Sequence, residues 1–469
     1  MPTRTALVTG ATGYVGALLV PALLDAGLTV RVFARSPEKL DPEWSDRVEV
    51  AEGDAEDAGD VRSALDGVDV GYYLLHSMDP DGDFRARDRR LAQTFAHAAR
   101  EAGVGRLIYL SGLHPNGELS EHLASRVEVG DILLDSGVPT AVIQAGVVLG
   151  DGSASFDMLR HLTERLPVAV GPKWLKNRIQ PIAANDVVHY LVRAADLDPS
   201  VNRTIDVGMD EQLTYLEMMR RYASVTGLLP RLVGTVPVLT PNLASLWVGL
   251  VTPVDSSIAR PLVGSLVHDA VKHEDDAATL LGDPPGGPMG FDVAVREATS
   301  TVDPKRWSRT LLQVGGQVAA CALAGSLFSN PESAWYKSIR KPAWQPPKLA
   351  FPVVWTALYG VITVATTSAI VDLEEGGEHE EADGLRKALA VNLALNAGWS
   401  GLFFRSKNPP LATAGAAALA ASSADLTRRG AKAGPGKAIG LGAYAAWCTF
   451  ATALSAQIVR LNPRRRRRP

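Results

Sequence analysis

Thr9-Gly-Ala-Thr-Gly-Tyr-Val-Gly16 is the stretch on which the fold of this 469-residue chain turns. Ala6-Leu7-Val8 before it reads as a short buried strand, residues 17–27 after it as a helix stopped by glycine, and residues 29–33 as the next strand. Gly10, Gly13 and Gly16 therefore stand at a strand-to-helix turn. There the first permits the tight bend, the second lets backbone approach a pyrophosphate, and the third allows close helix packing. Thr9, Gly10, Thr12, Gly13, Tyr14, Val15 and Gly16 are the expected dinucleotide contacts, with the phosphates at the helix N-terminus.

The pattern repeats downstream. Residues 48–54, 68–76, 106–112 and 139–144 read as four more strands separated by helical stretches. That alternation predicts an α/β Rossmann-like, doubly wound parallel sheet. After the second strand the chain reads Ala34-Arg35-Ser36 where NAD enzymes usually place an acid. A guanidinium suits a 2′-phosphate, which favours NADP(H) over NAD(H); a solvated surface arginine is the alternative. Asp54 closes the third strand and is placed near the adenine.

The glycine turn, Gly53-Asp54, Tyr72-Tyr-Leu-Leu-His76, Tyr109-Leu-Ser-Gly-Leu-His-Pro115 and residues 125–133 together resemble the extended, atypical short-chain dehydrogenase/reductases, in particular the NAD(P)H-binding, NmrA-like branch. The resemblance covers roughly residues 3–280. It implies a serine and a Tyr-x-x-x-Lys pair for catalysis. Ser111 stands at the serine position, whereas His122 and Arg126 stand where tyrosine and lysine would. His122 has an ordinary pKa near neutrality and could serve as a general acid. Arg126 beside it favours the neutral ring. Catalysis by Ser111, His122 and Arg126 and cofactor binding without turnover both remain open.

From residue 153 to about 280 the resemblance implies a substrate cover. Asp186 in Gln180-Pro-Ile-Ala-Ala-Asn-Asp186 reads as a helix N-cap or as an acid packed under the site. Residues 233–254 carry no charge, but Pro237, Pro241 and Pro253 break them, so they read as an apolar lid rather than a span. Residues 282–290, rich in Gly and Pro, mark a boundary. The expected domains are 1–280, with the cover from about 150, a linker 281–309, a membrane domain 310–462 and a basic tail 463–469.

Beyond the linker five apolar segments follow, at roughly 310–329, 351–371, 388–404, 410–427 and 438–459, each near the length that crosses ~30 Å of hydrocarbon. An all-α bundle of five transmembrane helices is expected. Trp335-Tyr-Lys-Ser-Ile-Arg-Lys-Pro-Ala-Trp344, Phe351-Pro-Val-Val-Trp355-Thr-Ala-Leu-Tyr359, Asn392-Leu-Ala-Leu-Asn396-Ala-Gly-Trp399-Ser-Gly-Leu-Phe403 and Tyr444-Ala-Ala-Trp447 resemble the TspO family, the translocator or tryptophan-rich sensory proteins. Gly401 departs from the proline often found there. Trp355 and Tyr359 share one helix face, as do Asn396, Trp399 and Phe403. With Trp335, Trp344 and Trp447 they form a candidate pocket for a planar ligand. Trp335 reads equally as an interface anchor, and Tyr336 and Trp307 read as anchors. The resemblance implies a tetrapyrrole or other hydrophobic ligand and a homodimer.

Net charge of −4 gives no electrostatic case for nucleic acid, and none is expected as a partner. The two cysteines, Cys321 and Cys448, lie in apolar segments without metal-ligand spacing, so no metal is expected. No apolar leader precedes the glycine turn, so the N-terminal domain is expected in the cytoplasm. Lys and Arg number nine on the N-terminal side of the five segments and twelve opposite, the excess coming from Arg464–Arg468, which suit anionic headgroups. Two functions follow. One is a redox-responsive sensor or transporter in the bilayer; the other is a membrane-tethered NADPH-dependent oxidoreductase acting on a hydrophobic compound.

Overall fold

The computed structural model describes residues 4–463 except 77–83, 116, 118, 237–251 and 255. The chain divides into two compact units, Met1–Val302 and Asp303–Pro469.

The first unit holds a seven-stranded parallel sheet. Its strands are β1 (Thr5–Thr9), β2 (Thr29–Ala34), β3 (Glu49–Glu52), β4 (Val70–Tyr73), β5 (Arg106–Gly112), β6 (Thr140–Ala145) and β7 (Arg203–Val207). Their order is β7-β6-β5-β4-β1-β2-β3. Strand order reverses between β1 and β4, and such a switch point opens a crevice at the strands' carboxyl ends. Helices α1 (Tyr14–Asp25), α2 (Ala58–Leu65), α3 (Phe84–Ala102) and α4 (Glu121–Leu134) provide crossovers. Local chemistry sets their ends. Asp57 Oδ1 accepts from Gly59 N (2.7 Å) at the start of α2, and Ser120 Oγ accepts from Leu123 N (3.3 Å) at the start of α4. Two apolar layers flank the sheet, one around Leu19, Val20 and Ile143, the other around Phe95, Tyr109 and Val129. A third cluster lies in the region read as substrate cover, around Phe156, Met218 and Tyr222.

Two expectations change here. The segment read as a linker belongs largely to the first unit: the helix Phe291–Ala298 buries Phe291, Ala294, Val295 and Ala298 in the third cluster. An amphipathic face, hidden behind a Pro/Gly-rich run, explains the difference. Asp186 is not an N-cap. Ala183 holds that position, and Asp186 Oδ2 accepts from Met289 N (2.7 Å), clamping the Gly/Pro segment down. Most of the uncharged stretch 233–254 and all of Arg464–Arg468 fall outside the described residues.

The second unit is helical. Its long helices are α5 (Arg306–Phe328), α6 (Ala350–Glu375), α7 (His379–Ser400), α8 (Pro409–Gly430) and α9 (Pro435–Leu461). Among the described residues three of them, α5, α6 and α9, are long and apolar enough to cross a membrane. Helix α7 begins with Glu380, Glu381, Asp383, Arg386 and Lys387, and α8 is mostly alanine with Asp425, Arg428 and Arg429 near its end. Those residues hold both below the hydropathy of a free-standing span. Helix α7 passes into a π-turn at Gly401–Arg405, where proline was expected from the resemblance. Trp307, read as an interface anchor, is instead buried and donates Nε1 to Ser368 Oγ (3.2 Å).

Candidate functional site

In the first unit a cleft of roughly 360 Å³ opens at the switch point. Gly10 and Thr12 of the glycine turn line it, with Arg35, Ser36 and Lys39 after β2, Gly53 and Asp54 after β3, and Leu75 and His76 after β4. The turn has no room for side chains. Gly10 has φ +69°, and a Cβ there would lie 2.8 Å from Leu74 O. One at Gly16 would lie 2.8 Å from Ala11 Cα. These are the contacts expected where backbone must wrap an anion.

The other turn residues act indirectly. Thr9 is fully buried; its hydroxyl donates to Tyr72 O (3.0 Å) and accepts from Leu74 N (3.0 Å), tying β1 to β4 rather than facing the cleft. Gly13 is the N-cap of α1, and Val15 packs against the core. Tyr14 turns toward Gly150 and Gly152, and burial, with Asp151 and Asp157 nearby, pushes its phenol up to about 12. Asp54 Oδ1 accepts from Glu56 N (3.0 Å), so it shapes a turn as well as the cleft wall. Lys39 was missed from the sequence, although it sits five residues after Ala34 in the segment that carries Arg35. Arg35, Ser36 and Lys39 together supply the donors a phosphate would require.

Ser111 and Arg126 line one cavity, and His122 does not line it. The His122 ring lies 6.4 Å from that of His76, which borders the nucleotide cleft. Burial, then Arg126 and His76, push the His122 imidazole down to about 3. It is neutral at physiological pH, the direction expected from Arg126, with burial as the larger cause. Arg126 Nη2 donates to Leu110 O (2.7 Å). Arg126 and Ser111 border a separate cavity of roughly 330 Å³ that does not include His122.

The second unit encloses a cavity of roughly 600 Å³. Trp355 and Tyr359 of α6, Asn396 and Trp399 of α7, Phe403 of the π-turn and Trp447 of α9 line it. Trp399 and Phe403 stack at 5.4 Å with 23° between their planes, and Trp355 lies 5.5 Å from Tyr359. Trp335 and Trp344 stand one layer out. Trp335 meets Phe403 edge-on at 5.6 Å; Trp344 is 49% exposed and meets Phe450 edge-on at 5.7 Å. Tyr336, Gln345 and Phe351 take their places on the wall. Trp447 Nε1 and Gln345 Oε1 are buried with no hydrogen-bond partner among the described residues. A donor and an acceptor are thus left for an occupant.

A polar ladder backs this cavity. Tyr359 Oη donates to Asn396 Oδ1 (3.1 Å), and Asn396 Nδ2 to Tyr444 Oη (3.0 Å). Tyr444 Oη donates to Asn392 Oδ1 (2.9 Å), and Asn392 Nδ2 to Ser423 Oγ (3.1 Å). Asn392 and Tyr444 lay inside motifs already quoted, but no spacing rule singled them out. Among the described residues no group of side chains is arranged to hold a metal, and both cysteines are buried thiols.

Comparison with known proteins matches each unit separately. Residues 314–461 match the TspO/MBR family and residues 10–137 the NAD(P)H-binding family. The tryptophan-rich protein TspO of Chlorobaculum tepidum is 32% identical over 155 residues, which cover 33% of this chain and 96% of that protein. A 3 beta-hydroxysteroid dehydrogenase/Delta 5-->4-isomerase of Mycobacterium tuberculosis is 36% identical over 115 residues, 22% of this chain. Only 30% of that enzyme is spanned. The solved structure of a Citrobacter sp. triphenylmethane reductase complexed with NADP(H) superposes with TM-score 0.51 at 19% identity, covering 63% of this chain and all of that one; it supports the fold alone.

Proposed function

Because the chain belongs to the TspO/MBR family through its second unit and carries an NAD(P)H-binding unit ahead of it, we propose that it is a membrane receptor whose ligand binding responds to NADPH. The TspO/MBR match supports an integral membrane protein, and the NAD(P)H-binding match a nicotinamide-nucleotide site. The finer reading has five helices crossing the bilayer, the first unit in the cytoplasm, and a homodimer as the assembly. NADPH is favoured over NADH by the Arg35, Ser36 and Lys39 donors at the cleft.

The observation that carries the receptor reading is the aromatic cavity with its unpartnered Trp447 Nε1 and Gln345 Oε1. Its volume falls in the range of small-molecule sites, and flat aromatic walls with few polar groups suit a planar amphipathic ligand such as a tetrapyrrole. The test follows tryptophan fluorescence and absorbance at 340 nm in nanodiscs on adding protoporphyrin IX with and without NADPH. Saturable quenching whose midpoint moves with NADPH, without loss of absorbance, supports the reading. Quenching indifferent to NADPH removes the coupling, because linkage requires each ligand to alter the affinity of the other.

The second reading, a membrane-tethered NADPH-dependent oxidoreductase, rests on Ser111 and Arg126 bordering one cavity. It predicts NADPH consumption that is lost in Ser111→Ala. A neutral His122 weighs against it.

A further inference from the structure

The cavity beside Ser111 has a floor built by strand register. Ser111 of β5 pairs with Gln144 of β6, and Gln144 pairs with Asp206 of β7. Register partners in parallel strands point to the same face, so these three polar side chains form one row across three strands, about 10 Å from end to end at the usual strand spacing. Helix α4 covers that face: Val142, two residues before Gln144, and Tyr109, two before Ser111, are the nearest neighbours of Gly130.

A sheet face under a helix is normally apolar, yet the row is almost fully enclosed, with Ser111 at 2%, Gln144 at 6% and Asp206 at 4% exposure. Ser111 Oγ and Arg126 Nε are buried without a hydrogen-bond partner of normal geometry among the described residues, and no bond from the Gln144 amide to another described side chain or backbone is present. Asp206 Oδ2 accepts from His273 N (2.7 Å), and Asp206 lines the cavity. Buried polar groups are rarely left unmatched, since each gives up its hydration with nothing in exchange. Two on one cavity wall, Ser111 Oγ and Arg126 Nε, point to an occupant.

The two ends differ in sign. At one end Arg126 and Ser111 offer donors, as a carboxylate requires. At the other lie Asp206, Asp131 and Glu274. Glu274 is paired with Arg203; among the described residues neither Asp131 nor Asp206 has a salt-bridge partner, His114 and His273 line the same cavity, and burial pushes both carboxyls up against the pull of these histidines. Of the three only Asp206 is enclosed, and an ammonium group there gives its carboxylate a charged partner. We propose that this cavity binds a small zwitterion, an amino acid with its carboxylate at Arg126 and Ser111 and its ammonium at Asp206. The site depends neither on the membrane cavity nor on turnover of the dinucleotide.

The experiment is calorimetric titration of the full chain in nanodiscs with glycine, 4-aminobutyrate and 6-aminohexanoate, and with butyrate and butylamine as half-molecules. One amino acid is expected to bind saturably, and both half-molecules at least about tenfold more weakly, because each forfeits one charged contact. Asp206→Asn is expected to weaken that amino acid by a similar factor. Dinucleotide titration of the same samples reports whether the unit is folded. If Asp206→Asn loses the dinucleotide as well, Gln144→Met takes its place and must show the same loss of amino-acid binding. No saturable binding by any of the three amino acids, a half-molecule equal to its parent, or unchanged affinity in a folded variant overturns the proposal.

Discussion

Asn396 and Tyr444 meet through a 3.0 Å hydrogen bond that joins α7 to α9 behind the aromatic cavity. Each has a second partner, Tyr359 for Asn396 and Asn392 for Tyr444. A polar side chain inside a bundle is tolerated when matched in this way. The ladder therefore fixes the wall that presents Trp355, Tyr359 and Trp399.

Tyr444→Phe removes the central hydroxyl and leaves the amides of Asn392 and Asn396 each short of a partner. A loss of about 1–3 kcal/mol is expected for exposing such a mismatch. Thermal unfolding in detergent should show a lower Tm, and porphyrin quenching should weaken together with it. An unchanged Tm would mean that water or lipid replaces the hydroxyl without cost.

Cofactor choice is tested at the end of β2. Arg35→Ala with Lys39→Ala removes two cationic donors from the nucleotide cleft. A hydrogen bond to a charged group contributes about 1.5–3 kcal/mol, so NADPH affinity should fall roughly tenfold or more while NADH affinity changes little. Fluorescence titration with both nucleotides gives the ratio. An equal fall for both would place these side chains outside the 2′-phosphate site.

How much of this could be read from the chain depends on the range of the interactions. The glycine turn and its flanking strand and helix are local, and so are the aromatic faces at three- and four-residue spacing; both kinds of element appear where the residues placed them. Strand β7, Arg-Thr-Ile-Asp-Val, was not recognised, because two of its five residues are charged and its character comes from pairing with β6. The Ser111–Gln144–Asp206 row was hidden for the same reason: it exists only through register. Asp186 looked like a cap by position, but Met289, brought in by the tertiary fold, took its carboxylate. Trp335 and Trp344 match the family motif, yet the segment between α5 and α6, with its short helix Ala334–Ser338, decides which aromatic ring faces inward.

His122 sets a pH dependence whose sign follows from its depressed pKa. Folding holds the ring neutral, while in the unfolded chain it titrates near 6.5. Its contribution is present in full above about pH 6.5. As pH falls below that value the unfolded chain takes up a proton that the folded one refuses, and stability drops until the folded ring titrates near about 3. Unfolding of the first unit, followed from pH 7 to 4, should steepen below 6.5 in the parent protein and flatten in His122→Gln. Identical limbs in the two proteins would show that the ring titrates freely when folded.

The ion pair between Lys437 Nζ and Asp372 Oδ2, 2.7 Å apart, joins the start of α9 to the end of α6 with exposures of only 4% and 5%. Enclosed charges attract strongly but cost heavily to desolvate, so the pair as a whole contributes little beyond what apolar residues would, while one member alone is severely destabilising. Lys437→Met takes the Lys437 cation from Asp372, and Asp372→Asn takes the carboxylate from Lys437. Each is expected to cost about 3–5 kcal/mol. The double variant Asp372→Asn with Lys437→Met removes both charges of the pair and should recover most of that loss. Chemical unfolding of the four proteins in one micelle system gives the coupling directly. Additive losses, with the double variant as unstable as the two singles together, would mean that the two side chains act separately, each held by other neighbours.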